Sequence, residues 1–382
     1  VEIHPFGATV LVDGWQLTGA VDRLAEARLQ AQLVPEDAPE VWVYGVGLGD
    51  LVRVLLERPV VQKIHVCILS AELHDRLRPL DGIDPSRLVL HQPGEVEEVS
   101  IPFTFVPGEL RHADMSATRL RDELITLINL PFNQRVQREL AQAWADQERQ
   151  NAEAMATDQH VSAMFGRDRR PAIVVAGGPT ASAHLDWIKA HQQSHQVIAV
   201  SRALLPLLEV GITPDVVVHI DPFPFSGPLF PGPEDQRAVA SVLLYLSAIN
   251  PALVSSWRGQ RAWMREADLF SGGSVVHAAA DLAVQRGATE VHLVGVDFCL
   301  PGGQGHLAGA RGESLNVAAS PLRTVDGFGR SVPTQEALVW YHRGFETLIA
   351  ERPGIRWIKH DRRGVPLRGA EWSDGSESRR AA

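Results

Sequence analysis

The chain has 382 residues, of which 45% are hydrophobic and 21% charged, with a formal net charge of −10. These figures fit a globular protein of two or three domains, and the acidic balance excludes a dominant phosphate-backbone partner, because nucleic-acid binding shows as a basic face. Cys67 and Cys299 alone exclude a disulfide framework and fit a reducing cytoplasm, and with no membrane-length apolar run and no basic-then-apolar leader in 1–11, the residues encode neither insertion nor export.

The N-terminal third, residues 1–115, carries an α/β signature. Val41 to Tyr44 reads as a strand, followed by Gly45-Val46-Gly47-Leu48-Gly49-Asp50, a helix to about Glu57 and a second strand from Lys63 to Leu69. The glycine spacing is closer to a methyltransferase-like Gly-x-Gly-x-Gly than to the dinucleotide fingerprint, and the acid that should meet a ribose, Glu72, comes slightly late. A structural Rossmann-like domain is therefore preferred over a cofactor site. Residues 116–165 read as a helical connector, with Leu120, Leu124, Leu127 and Ile128 at helical spacing, an interruption at Pro131 and a solvated face of Arg and Glu. Gly166 to Pro171 marks the boundary into the main domain.

In residues 166–370, Ile173 to Val175 forms a β-branched run that breaks into Ala176-Gly177-Gly178-Pro179-Thr180 and opens into a helical stretch, 181–192. Glycines let backbone approach a ligand, proline suits a first helical turn, and a helix start attracts an anion. Further buried strands follow. One runs from Val197 to Ser201, one from Val216 to Asp221 and one from Glu290 to Asp297, while Gly272-Gly273-Ser274 starts a helix through about Arg286. Apolar strands alternating with helices predict a parallel sheet covered on both faces, with ligands at the carboxyl ends of its strands. The tail, 371–382, reads as disordered.

This pattern assigns Gly177, Gly178, Pro179, Thr180, Ser201, Gly272, Gly273 and Ser274 to nucleotide binding. The pocket is expected between the two glycine turns, with Asp221 and Asp297 on its rim, and Gly178→Val is expected to abolish binding without unfolding the chain. Two carboxylates on neighbouring strand ends can bind a divalent ion such as Mg²⁺, orient a ribose or act as base, and the sequence does not choose. His306, in the glycine-rich segment after the Asp297 strand, is the third catalytic candidate, because a neutral imidazole exchanges protons near pH 7. The remaining histidines are scattered, without a zinc-ligand spacing.

The ordered motifs resemble the motility-associated-factor (Maf) proteins, flagellin glycosyltransferase-like, whose core is shared with 6-hydroxymethylpterin diphosphokinases and is similar to bacterial sialyltransferases. They are Gly-Gly-Pro-Thr at 177–180, Gly-Ile-Thr-Pro-Asp at 211–215, His-Ile-Asp-Pro at 219–222, Gly-Gly-Ser-Val at 272–275 and Val-Gly-Val-Asp-Phe at 294–298. Gly305-His306, Asp326-Gly327-Phe328-Gly329, Pro333-Thr334 and Arg368-Gly369-Ala370 continue the series. The family's usual Gly-x-Gly-Pro-Ser reads Ala176-Gly177-Gly178-Pro179-Thr180 here. The resemblance implies a sialyltransferase-like Rossmann core preceded by a similar N-terminal domain. It also implies a cytoplasmic transferase that moves a nonulosonic acid from a CMP-linked donor to Ser/Thr hydroxyls of flagellin or another protein, without a tightly bound cofactor. The larger members carry a further helical, flagellin-docking domain that the residues given do not reach. Two alternatives stand beside this: an ATP/Mg²⁺-dependent diphosphotransferase, and a non-catalytic nucleotide-binding assembly protein.

Overall fold

The computed structural model describes residues 1–222, 230, 237–310 and 322–373, so the tail expected to be disordered lies, from residue 374 on, outside the described residues. The chain divides into two compact units, Val1–Ile128 and Asn129–Ala382.

The first unit opens with an antiparallel meander, β1 (Ile3–Phe6), β2 (Thr9–Val12) and β3 (Trp15–Gln16). Four parallel strands follow, β4 (Glu40–Tyr44), β5 (Lys63–Cys67), β6 (Leu88–His91) and β7 (Phe103–Phe105), in the order β6-β5-β4-β7. Helices α1 (Arg23–Ala31), α2 (Asp50–Leu56) and α3 (Ala71–Leu77) accompany them. Val41, Val43, Ile64 and Val66 bury against Leu51, Val52 and Leu55 of α2, which is why the β-branched runs become strands and the Leu/Val stretch after Gly49 a helix.

Helix α4 (Thr118–Gln150) is continuous through Pro131, contrary to the expected interruption. Proline removes one N–H from the ladder, but the turns on either side carry the helix through. Its buried residues are Leu120, Arg121, Asp122, Leu124 and Ile125, whereas Leu127, expected on the packed face, is 37% exposed.

In the second unit, α5 (Ala152–Thr157) leads to nine parallel strands. They are β8 (Gln159–His160), β9 (Ala172–Val175), β10 (Gln196–Val200), β11 (Val216–His219), β12 (Val242–Leu246), β13 (Arg261–Met264) and β14 (Glu290–Val294), then β17 (Arg356–Lys359) and β18 (Ala370–Trp372), with a hairpin of β15 (Arg323–Val325) and β16 (Ser331–Pro333) between. Their order is β18-β17-β14-β9-β10-β11-β12-β13-β8, and every neighbour pair is parallel. Every residue of β9, β10 and β11 is buried, as the near-continuous apolar runs require of a sheet covered on both faces.

The chain winds outward from β9 to β13 through α6 (Leu185–His191), α7 (Ser201–Glu209) and α8 (Pro251–Ser256). It then returns through α9 (Val275–Arg286) to β14 on the other side of β9, and continues through α10 (Glu336–Glu351). Right-handed crossovers put α9 and α10 on the face opposite α6 to α8. The order reverses between β9 and β14. That crevice, at the strands' carboxyl ends, is where an open α/β sheet holds its ligand.

Candidate functional site

A cavity of about 310 Å³ lies at this reversal. Its walls are the turn after β9 (Ala176, Gly177, Gly178), the segment after β14 (Gly295 to Cys299), the start of α9 (Ser274, Val275, Val276), and Val200 with Arg202 at the β10–α7 junction. Gly305 and His306 close one side, and Gln335 and Tyr341 of α10 another. Both predicted turns, Asp297 and His306 thus meet at one pocket.

The individual roles are redistributed. Thr180 is buried and does not face a ligand: its N–H donates to Asp297 Oδ2 at 3.0 Å and its hydroxyl to Asp297 Oδ1. Pro179 starts a short 3₁₀ turn (Pro179–His184) ahead of α6, in place of the single helix expected. Gly178 has ordinary extended dihedrals, φ −74° and ψ 151°, so its glycine is required by space alone. A Cβ there would sit 2.2 Å from the Gly295 carbonyl oxygen and 2.5 Å from Asp297 Oδ2, inside β14's packing and not in the phosphate's place. The expectation that Gly178→Val loses binding but folds is therefore corrected. At Gly177 a Cβ would only touch the Arg202 side chain, at 3.4 Å.

Ser201 also turns away from the expected ligand, its Oγ bonded to His219 Nδ1 at 2.9 Å beneath α7. Its neighbour Arg202, which sequence reasoning missed, enters the pocket instead. Burial lowers the Arg202 pKa, while Asp221 opposes the shift.

Asp221 and Asp297 are not on neighbouring strand ends. The strands they follow, β11 and β14, have β9 and β10 between them, three strand spacings or about 14 Å apart. The expectation that the two acids follow neighbouring strands is thus corrected. Asp221 acts on the pocket through charge, on Arg202 and on Tyr341, whose phenol is raised by burial and then by Asp221. Asp297 is fully buried at the pocket floor. Burial raises its pKa, against the nearby Lys359 ammonium and the two Thr180 hydrogen bonds. Lys359, also missed, is pushed down to about 8 by burial despite Asp297, and its Nζ donates to the Val296 carbonyl.

The start of α9 is held by His277. Its Nε2 bonds the Tyr341 carbonyl at 2.9 Å, which leaves Nδ1 to accept the Ser274 N–H at 3.2 Å. A Cβ on Gly272 would strike this ring at 2.7 Å, and Gly273 takes φ +83° beside Tyr341, so these two glycines shape the entry to α9. The N-terminal end of this 12-residue helix faces the cavity with its dipole.

His306 is half-buried on the pocket wall. Burial first, and then the Arg202 charge, lower its pKa, against a hydrogen bond with the Gly177 backbone. It is neutral at pH 7 and able to accept a proton.

The other glycine turn, Gly45 to Gly49, is occupied from within the chain. Glu109, buried at 3% exposure, fills it: Oε2 accepts from Val46 N–H at 2.6 Å and Gly47 N–H at 2.7 Å, and Oε1 from Leu69 N–H at 3.3 Å. Cys67 and Cys299 are buried, both thiols pushed up to about 12 by burial. No described helix is long and apolar enough to cross a membrane.

A Maf glycosyltransferase from Magnetospirillum magneticum AMB-1 aligns over 96% of this chain and 69% of its own, at 16% identity and a TM-score of 0.41. A spermidine synthase in complex with the transition-state analogue AdoDATO aligns over 31% of this chain and 45% of its own, at 16% identity and a TM-score of 0.25. Neither likeness is close enough to transfer a residue or an activity, and no curated protein gives a significant match. Residues 146–303, from the end of α4 through both glycine turns and Asp297 but short of His306, match the 6-hydroxymethylpterin diphosphokinase MptE-like family, and with that match the Maf-like resemblance read from the motifs holds for the core that the two families share.

Proposed function

We propose that the cavity at the β9/β14 reversal binds a nucleotide-activated donor and that the chain is a nucleotide-sugar-dependent glycosyltransferase. The observation that carries this reading is the convergence of the α9 N-terminus, Arg202 and a neutral His306 on one pocket. A helix start and a guanidinium stabilise charge developing on a departing phosphate, and a neutral imidazole takes the proton of an attacking hydroxyl. The finer terms follow the motif resemblance: a nonulosonic acid on a CMP-linked donor, a Ser/Thr hydroxyl of flagellin or another protein as acceptor, no tightly bound cofactor, and a cytoplasmic setting. The acceptor would approach by the adjoining cavity of about 450 Å³, which shares Gly273 and Ser274 with the entry to α9 and is walled by Trp144, Met264, Leu269 and Phe270.

The second reading, an ATP/Mg²⁺-dependent diphosphotransferase, is favoured by the description of the family that residues 146–303 match. It needs carboxylates to hold Mg²⁺, and the strands that Asp221 and Asp297 follow are not neighbours, which counts against their sharing one ion. A nucleotide screen by thermal shift, with and without Mg²⁺, separates the two, because a ligand that binds only the native state raises Tm. A shift with CMP or CDP that needs no Mg²⁺ supports the first reading. A shift confined to ATP with Mg²⁺ replaces it with the second, and a shift without turnover on any hydroxyl acceptor leaves a non-catalytic binding protein.

A further inference from the structure

Four histidines, His191, His195, His292 and His360, gather around Trp187 of α6, with His195 and Glu290 at the amino-terminal edge of the large sheet. His195 directly precedes β10, and Glu290 and His292 lie on β14, so the sheet brings together residues almost a hundred positions apart. One ligand-type atom from each of His195, Glu290 and His292 lies within 4.8 Å of the others, the one such group of three among the described residues. The indole of Trp187 stacks against His191 at a centroid distance of 4.5 Å and meets His360 at 4.1 Å in a tilted contact, and the ring of His195 lies 5.3 Å from that of His292.

The outer partners of this group are those of a metal centre. His292 Nδ1 is bonded to His360 Nε2 at 2.9 Å, and its Nε2 faces Glu290 Oε1 at 3.0 Å. His195 Nδ1 is bonded to Ser194 Oγ at 2.9 Å. The second carboxylate oxygen, Glu290 Oε2, accepts from Arg356 at 2.8 Å. Each of the three side chains thus has one atom fixed by a neighbour and another turned toward the group. Metal-binding histidines and carboxylates have this arrangement, in which the outer hydrogen bond sets the ring's orientation and tautomer.

We propose that His195, Glu290 and His292 bind one divalent transition-metal ion of the zinc class. Two imidazoles and a carboxylate suit Zn²⁺ and its neighbours Co²⁺ and Ni²⁺, not Mg²⁺, which prefers an all-oxygen shell. Ligands at about 2.0–2.2 Å from zinc lie about 3.4 Å apart, so the three atoms need to close by little more than an ångström. On binding, Glu290 Oε1 exchanges its hydrogen bond from His292 for the ion and Oε2 keeps Arg356. The ion would join the lead-in to β10 to β14 across β9, and so act as a structural clamp separate from the transfer chemistry.

The test uses the full chain, free of any histidine tag and stripped with chelator. Calorimetric titration with Zn²⁺ should give one site per chain, and Co²⁺ in its place should give a visible ligand-field spectrum. His195→Ala, at a half-buried position outside the strands, and Glu290→Gln, which keeps the side chain's shape, should each weaken binding by at least about tenfold. They leave the buried His292 in place, so loss of the fold does not cloud the result. A wild-type chain that binds no Zn²⁺, variants that bind as tightly as wild type, or equal binding of Mg²⁺ at this site overturns the proposal.

Discussion

A side chain at Gly178 tests the architecture of the pocket directly. A Cβ at this position would lie 2.2 Å from the Gly295 carbonyl oxygen and 2.5 Å from Asp297 Oδ2, both on the segment that leaves β14. Neither can yield locally, since one is backbone and the other is held by Thr180. The turn and β14 must part, which breaks the Gly178 N–H to Gly295 carbonyl bond of 3.0 Å and misaligns the Thr180–Asp297 pair. Overpacking costs about 1–3 kcal/mol, and a buried, charge-assisted hydrogen bond left poorly made about as much again. Gly178→Val should therefore lose about 2–6 kcal/mol, a fall in Tm of about 4–24 °C for a unit of this size. Gly177→Ala is the contrast. Its methyl meets only the Arg202 stem, at ordinary contact distance, so Tm should change by less than about 2 °C and donor affinity should change little. Thermal unfolding followed by circular dichroism, and titration with the nucleotide found by the screen, read the two effects separately. A Gly178→Val chain that melts with the wild type would refute the steric account, and tenfold weaker binding by that stable variant would restore a direct phosphate role for Gly178.

Four further outcomes follow from the structure. His306→Ala should lower turnover by about 10²–10⁴-fold with little change in donor affinity. In the wild type kcat/KM should stay flat from neutral pH downward and fall only below the ordinary imidazole value of about 6.5, because burial and Arg202 keep His306 neutral; a profile breaking above that value removes it as the base. Acid should weaken the fold early. His195 and His219 at about 4 and His360 at about 3 stay neutral in the folded chain, while in the unfolded chain they protonate near 6.5, so stability is full above that pH and falls as pH drops toward 4, by up to about 1.4 kcal/mol per pH unit for each ring. Urea midpoints that do not move between about pH 7 and 5 contradict this. Glu109→Ala should strip three backbone N–H groups of their acceptor and destabilise the first unit by about 3 kcal/mol or more, seen as faster hydrogen exchange at Val46, Gly47 and Leu69; unchanged exchange there means that Glu109 does not hold the turn.

The fold class was legible because the β-branched runs that become β9, β10, β11 and β14 are nearly uniform and end in recognisable turns. Of the outer strands, β13 and β17 are only four residues long and open on an arginine, and β18 is three residues long, so they carry little signal of their own, whereas the apolar run Val242–Leu246 of β12 was legible and was passed over. The pocket's location was legible from the two glycine turns, but its polar contents were less so. Arg202 had a local signal, a cation one residue into the helix that follows a buried strand. Tyr341 and Lys359 had none, because what brings them in is the return of the chain through α10 and β17. The paired aspartates misled for a related reason: each does end a strand, but strand order in space is not strand order in sequence.

The two glycine turns also show why such a motif is weak evidence for a phosphate. In each, the chain supplies the anion itself. Val46 and Gly47 N–H groups hold Glu109, and Thr180 holds Asp297, so the attraction of a strand-to-helix turn for negative charge is used within the fold. The difference between the units lies in what surrounds the filled turn. Behind Asp297 stands Lys359, whose charge opposes that of the buried carboxylate, and in front of it open the N-terminus of α9 and the Arg202 side chain. With the buried acid offset in this way, the cavity's field is set by a cation and a positive helix end, and a ligand phosphate meets attraction there. At Glu109 the carboxyl already takes the N–H groups of Val46, Gly47 and Leu69. A second anion brought to that turn would find those donors occupied, which favours the proposed donor site in the second unit.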